Sequence, residues 1–199
     1  MRDEYLTLAA ESPAEGFYSE KRSRFLAFAH HVESADEVRT LVADYRRRYY
    51  DARHVCYAYR LGADGADYRA NDDGEPSGTA GKPILGQLLS RSLTYALVVV
   101  VRYYGGVNLG TGGLVVAYRE AAAQALDAAT HVSRQVEETV EYTFPYVMMD
   151  RVMRVVKELG PRVVSQTYDA ADCTIALAIR QGEADRLRQR LAQLAFDSR

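Results

Sequence analysis

Apolar and polar positions change period repeatedly along this 199-residue chain, and each change predicts an element. Residues 4–9 and 15–31 are rich in aromatic and apolar residues and read as strands, with turn chemistry at Ser12-Pro13 between them. At Ser34 the period becomes helical. Ser34-Ala35-Asp36-Glu37 is a capping box, and Val38, Leu41, Val42, Tyr45 and Tyr49 share one face. Arg46-Arg47-Arg48 close this helix, where positive charge complements the dipole. His54 to Leu61 reads as a strand, and Asp64-Gly65 turns the chain back through Tyr68. A loop, NDDGEPSGTAG, covers 71–81, and a helix is predicted over 79–91 with Pro83 near its first turn. The unbroken apolar run within 95–104 predicts a strand buried on both faces in mid-sheet. An alanine-rich helix follows over 113–128.

After about residue 130 the pattern restarts. Val136 to Phe144 alternates as a strand. Val147, Val152, Val155, Val156 and Leu159 mark a helix that stops at Gly160-Pro161. Residues 162–168 and 173–180 read as a strand hairpin, and 183–194 as a helix. The order β-α-β-β-α is ferredoxin-like without a clear last strand. The expected fold class is α+β, in two domains at 1–132 and 133–199.

Composition narrows this picture. A 48% hydrophobic, 26% charged chain fills an ordinary globular core. With a net charge of −2, any nucleic-acid surface must be a local patch. Two cysteines far apart, Cys56 and Cys173, predict reduced thiols in a cytoplasmic protein. The N-terminus has no apolar signal region, and no apolar run is long enough to span a bilayer.

The densest chemistry is VVRYYGGVNLGTGGLVVAYRE, from Val100 to Glu120. A strand, a glycine-rich turn and a helix succeed one another. Gly105, Gly106, Gly110, Gly112 and Gly113 let the backbone approach something closely. This is the layout of an anion site built from main-chain N–H groups at a helix start. The nucleotide-binding fingerprints fail: Val115 stands where GxGxxG needs its third glycine. In Gly78-Thr79-Ala80-Gly81-Lys82-Pro83, proline replaces the hydroxyl residue of a P-loop. Tight helix-on-sheet packing therefore competes with anion contact as the reason for the glycines. Arg53, Arg60, Lys82, Arg102 and Tyr103 are candidates for nucleic-acid or anion contact beside them, as cation and aromatic together hold single strands.

Asp72, Asp73 and Glu75 form an acidic loop of open role: a magnesium site, a general acid/base pair, a solvated turn, or internal pairing with Lys82 or Arg102. His54 and Cys56, two apart on a strand, share a face, but no second Cys/His cluster completes a metal site. No cofactor and no catalytic residue is expected.

Four blocks resemble the IMPACT/YigZ family: Lys21-Arg22-Ser23-Arg24-Phe25, ARHVCYAYR from Ala52, DDGEPSGTAGKPIL from Asp72 and VVRYYGGVNLGTGGLVVAYREA from Val100. The resemblance covers nearly the whole chain, and 135–199 is similar to the extra C-terminal domain of bacterial members. It implies a first domain of ribosomal-protein type, with a left-handed β-α-β crossover, similar to domain four of elongation factor G. It implies a second domain similar to domain five of that factor. Eukaryotic relatives regulate translation in amino-acid starvation by competing for the activator of the starvation-sensing kinase. They carry an N-terminal protein-binding domain that this chain is expected to lack. Tyr104 stands where phenylalanine is common in the family and Asn108 where lysine is common.

The expected function is therefore a cytoplasmic RNA- or ribosome-binding regulator of translation. Two alternatives stay open: an enzyme on a phosphorylated or nucleotide substrate with a metal at the acidic loop, and a protein-binding adaptor docking through the glycine loop.

Overall fold

The computed structural model describes residues 3–11 and 13–196, so Ser12 of the expected turn lies outside the described residues. The protein is α+β, about 38% helix and 38% strand, in two domains with antiparallel sheets. One compact unit is Tyr5–Arg134; the other holds the described residues from Gln135 to Phe196 together with Asp3 and Glu4.

The first unit is built from β1 (Glu4–Leu8), β2 (Ala14–Glu20), β3 (Ser23–His31), α1 (Ala35–Arg48), β4 (His54–Leu61), β5 (Asp67–Asn71), α2 (Gly81–Ser90), β6 (Ala96–Tyr103), α3 (Gly110–Ala128) and β7 (His131–Gln135). Five strands form one sheet in the order β2-β3-β6-β4-β5, and β1 pairs separately with β7. The apolar run occupies the centre: Ala96 to Val101 are each fully buried in β6. Successive side chains of a strand point to opposite faces. Val98 and Val100 therefore join the core beneath α2 and α3, while Leu97, Val99 and Val101 join the core beneath α1.

Ser34 caps α1 as its residues dictate, its Oγ accepting from Glu37 N, while the Glu37 carboxylate reaches one residue past the cap and accepts from Glu33 N. Three local features differ from expectation. The 15–31 stretch is divided by a turn at Lys21 and Arg22, which take φ of 45° and 68°. Neither is a glycine or asparagine, so no turn signal marks them. Helix α3 starts at Gly110, earlier than 113, so the last glycines lie inside its first turn. Strand β7 is short, polar and half exposed, with little periodicity to reveal it.

The second unit contains β8 (Glu137–Pro145), α4 (Met149–Leu159), β9 (Arg162–Tyr168), β10 (Asp172–Arg180) and α5 (Ala184–Phe196). Its antiparallel sheet runs β8-β10-β9. Val152, Val155, Leu187 and Leu191 of the two helices close over Val140, Phe144, Ile175 and Leu177. Among the described residues, no helix is long and apolar enough to cross a membrane.

Candidate functional site

The strand registers place Phe25 of β3, Arg102 of β6 and His54 of β4 in one row across the sheet, near the end of β6. Arg102 shares the parity of Val98 and Val100, so its side chain lies on the α2/α3 face. The loop after β5 lays Glu75 over this row, and α3 brings Tyr118 down onto it. Glu75 Oε1 accepts from Arg102 Nη1 at 2.6 Å and from the Tyr118 hydroxyl at 2.7 Å. Both charged residues are buried, Glu75 at 8% exposure and Arg102 at 6%. The Phe25 and Tyr104 rings lie 5.5 and 5.7 Å from the guanidinium carbon.

His54 Nδ1 lies 2.7 Å from the Asp73 carbonyl, and a carbonyl only accepts, so Nδ1 carries a hydrogen. Nε2 then points toward Glu75 Oε2, 3.7 Å away. Cys56 Sγ lies 3.0 Å from the Asp72 carbonyl and 3.4 Å from the Tyr118 hydroxyl. Burial pushes the Cys56 thiol far up from its ordinary value, which leaves it a weak nucleophile. Burial likewise raises the Tyr118 phenol, with Cys56 and Glu75 adding to it, so Tyr118 stays a neutral donor.

The three acidic side chains of the loop go to three separate tasks. Asp72 reaches the start of α2, whose own N-cap, Ala80, offers no side-chain bond. Its carboxylate accepts from Gly78 N at 2.8 Å, Ala80 N at 3.1 Å and Gly81 N at 2.8 Å. Asp73 accepts from Arg46 at 2.6 Å and from Val55 N at 2.6 Å. Glu75 is bound to Arg102 and Tyr118. Among the described residues, no group of three or more His, Cys, Asp or Glu side chains is arranged to hold a metal ion.

Burial alone would raise the Asp72 carboxyl, but the three N–H groups and Lys82 more than offset this and hold it below the usual carboxylate range. Asp72→Ala is expected to cost about 1 kcal/mol near neutral pH, the ordinary worth of a helix cap. A depressed folded-state pKa gives stability that is present above the unfolded value of about 4 and lost as pH falls through the lower folded value. Urea midpoints of the two proteins should accordingly converge as the pH is lowered through that range. A gap unchanged in acid would contradict the cap.

The glycines divide into two groups. Gly105 N donates to Ser23 Oγ at 3.1 Å, and a Cβ there would lie 2.2 Å from Arg22 C. This glycine is packing. By contrast, Gly106, Gly110 and Gly112 have nothing within 4 Å of a built Cβ, and Gly106 and Gly110 take φ of 84° and 72°. A Cβ on Gly113 would come to 3.0 Å from Leu109 Cβ. The opening of α3 has no side-chain cap bond and no acidic residue in its first turn. It faces a cleft of about 440 Å³ lined by Arg53, His54, Glu75, Pro76, Arg102, Tyr104, Asn108, Leu109, Gly110, Thr111 and Leu114.

Of the sequence-predicted cations, Arg53 and Arg102 come together here. Arg60 pairs across from Ala96 at the other end of β4 and donates to Leu93 O at 2.8 Å. Lys82 is exposed in the first turn of α2, beside Gly78, and does not line the cleft. Tyr103 lies on the opposite face of β6 from Arg102, with its hydroxyl on Asp51 at 2.8 Å and Arg24 over its ring at 4.9 Å. Thr111, Leu109, Leu114 and Pro76 line the cleft without standing out in the sequence, and Tyr118 is buried over Glu75. The one available signal for Tyr118 was its helical spacing with Leu114, Ala121 and Ala122, which assigns it to the buried side of α3.

An antiparallel sheet backed by α2 and α3, with an uncapped glycine-rich helix start beside a buried Arg–Glu pair, defines the class: residues 21–126 match the Impact N-terminal domain. The chain is 37% identical over 154 residues to the IMPACT family member YigZ of Escherichia coli, covering 75% of this chain and 74% of that one. It is 42% identical over 132 residues to an IMPACT family member of Thermus thermophilus, covering 66% and 70%. A crystal structure of a protein described only as hypothetical superposes with a TM-score of 0.75 at 30% identity, over 97% of this chain and 93% of the other. This chain belongs to the IMPACT family. More distant relatives include IMPACT homologs of eukaryotes. The IMPACT homolog of Saccharomyces cerevisiae is 33% identical over 99 residues, 46% of this chain and 37% of its own length.

Proposed function

We propose that this protein is a cytoplasmic RNA-binding regulator of translation that contacts the phosphate backbone at the cleft between β6 and α3. The observation that carries the reading is the 19-residue helix α3, which opens uncapped into a cleft also lined by Arg53 and Arg102. Main-chain N–H groups without a side-chain cap, the positive end of the helix dipole and the exposed Arg53 guanidinium favour negative charge in the same place, while Arg102 neutralises Glu75 there. An overall charge of −2 restricts such binding to this patch. The translational role is carried over from the resemblance to the family, whose eukaryotic relatives regulate translation. Two free, buried cysteines suit a reducing compartment.

The same reading takes the first unit as a ribosomal-protein-type β-α domain with a left-handed crossover. It takes the second as ferredoxin-like and similar to domain five of elongation factor G. The order β8-α4-β9-β10-α5 and the sheet order β8-β10-β9 support the second assignment.

Anisotropy of a labelled single-stranded RNA across a salt series tests the function. Affinity should fall log-linearly as salt rises, with a slope of about −0.7 per phosphate contacted. Arg53→Ala, at an exposed position on the cleft, should flatten that slope by about one contact. Absence of RNA binding at low salt would overturn the reading, and a partner retained through nuclease and high salt would point to an adaptor.

A further inference from the structure

The β2–β3 hairpin turns through two residues, Lys21 and Arg22, with φ of 45° and 68°. Positive φ at both central positions is type I′ geometry, which asparagine and glycine adopt readily and long side chains adopt at a cost. Both side chains are exposed, so core packing does not account for them. Strain of this kind persists where the residue is kept for another task. What the turn gains is charge. Lys21, Arg22, Arg24 and Arg53 are exposed, and none of them forms an ion pair among the described residues. Other arginines of the first unit, Arg46, Arg91 and Arg134 among them, sit on carboxylates. Two carboxylates adjoin the four cations, Glu20 and Asp51. Each accepts instead from a tyrosine hydroxyl, Tyr18 at 3.2 Å and Tyr103 at 2.8 Å.

These cations share one end of the sheet. Arg24 pairs across from Tyr103, the last residue of β6, and its guanidinium carbon lies 4.9 Å from the centre of the Tyr103 ring. Arg53 N donates to Arg102 O at 2.9 Å, which sets Arg53 beside the same strand end. The chain leaves β6 through Tyr104, Gly105 and Gly106. Tyr104 lines the cleft with Arg53. Gly105 is packed on the hairpin turn, where a Cβ would come to 2.2 Å from Arg22 C, and Gly106 has nothing within 4 Å of a built Cβ. The cleft is therefore joined to the hairpin tip by main chain that raises no side chain between them. A polymer with one negative charge per unit supplies anions to both places at once, whereas a single small anion reaches only one.

We infer that the β2–β3 turn is a second phosphate-backbone contact for the same RNA: a strand held at the cleft crosses Gly105 and Gly106 and meets Lys21, Arg22 and Arg24. This rests on the RNA-binding reading above and extends it from one place on the strand to a run of successive phosphates.

The test measures anisotropy of a labelled single-stranded RNA with the full chain across a salt series, beside thermal melts. The double variant Lys21→Asn, Arg22→Gly installs the residues that a type I′ turn favours. It should raise the melting temperature, yet flatten the salt slope by about 1.4, two contacts at about 0.7 each. The double variant Lys21→Gln, Arg22→Gln keeps long side chains and the strained turn but removes the charge. It should flatten the slope equally without raising the melting temperature. A purely structural turn would leave the slope unchanged in both variants, which would overturn the inference and leave the cleft reading standing. A flattened slope in both, with Arg53→Ala having no effect, would keep the hairpin contact and overturn the cleft. Polyglutamate competing as well as RNA of equal charge would overturn the assignment to nucleic acid and point to an acidic protein. Wild-type protein that binds no RNA at low salt would overturn both readings together.

Discussion

Glu75→Leu is expected to remove about 3–5 kcal/mol of stability, because it strands the Arg102 guanidinium as an uncompensated buried charge. The side chains of the pair are 7% and 3% exposed, and the bond between them is 2.6 Å. The same substitution leaves the Tyr118 hydroxyl without its acceptor in a buried position. The double variant Glu75→Leu, Arg102→Met should recover a large part of the loss, since a well-packed apolar pair often replaces a buried ion pair at little cost. Urea denaturation of the wild type, both single variants and the double variant forms a mutant cycle, in which the two residues should couple strongly. Additive losses would show that the pair is not a unit.

Gly105→Ala should destabilise the protein by about 1–3 kcal/mol, while Gly112→Ala, seven residues on, should stabilise it by about 0.5–1 kcal/mol. The methyl group on Gly105 would meet main-chain atoms, Arg22 C at 2.2 Å and Ser23 N at 2.3 Å, which cannot rotate away. On Gly112 it would meet nothing within 4 Å, and the backbone there is helical. Alanine at that position only reduces the freedom of the unfolded chain. Melting temperatures of the two variants should move in opposite directions; movement in the same direction would refute the division of the glycine stretch into packing and open parts.

Much of the first unit is legible before folding is considered. The valine run of β6 requires both faces to be covered, and it sits third of five strands. The capping box at Ser34 starts α1 where its residues say it should. Side chains invisible to local pattern include Asp72, which caps a helix whose first N–H lies nine residues further on. They also include Glu75, whose partners Arg102 and Tyr118 are 27 and 43 residues away. A carboxylate in a loop of glycine and proline looks the same whether water, a metal or an arginine receives it.

The candidate site follows the same division. Residue type and spacing alone single out the glycine-rich stretch and the cations near it, because glycine density and charge are local properties of a sequence. Which cations share a cleft is a matter of strand parity and register. Arg102 and Tyr103 are neighbours in the chain and lie on opposite faces of β6, while Arg102 and His54 are far apart in the chain and lie side by side. Periodicity and capping are short-range physics, so the order and kind of most elements, though not the polar strand β7 or the turn at Lys21 and Arg22, were determined by the sequence itself. The pairing of buried charges, the sealing of Gly105 and the opening of α3 into a cleft depend on which strands become neighbours, and only the tertiary structure decided that.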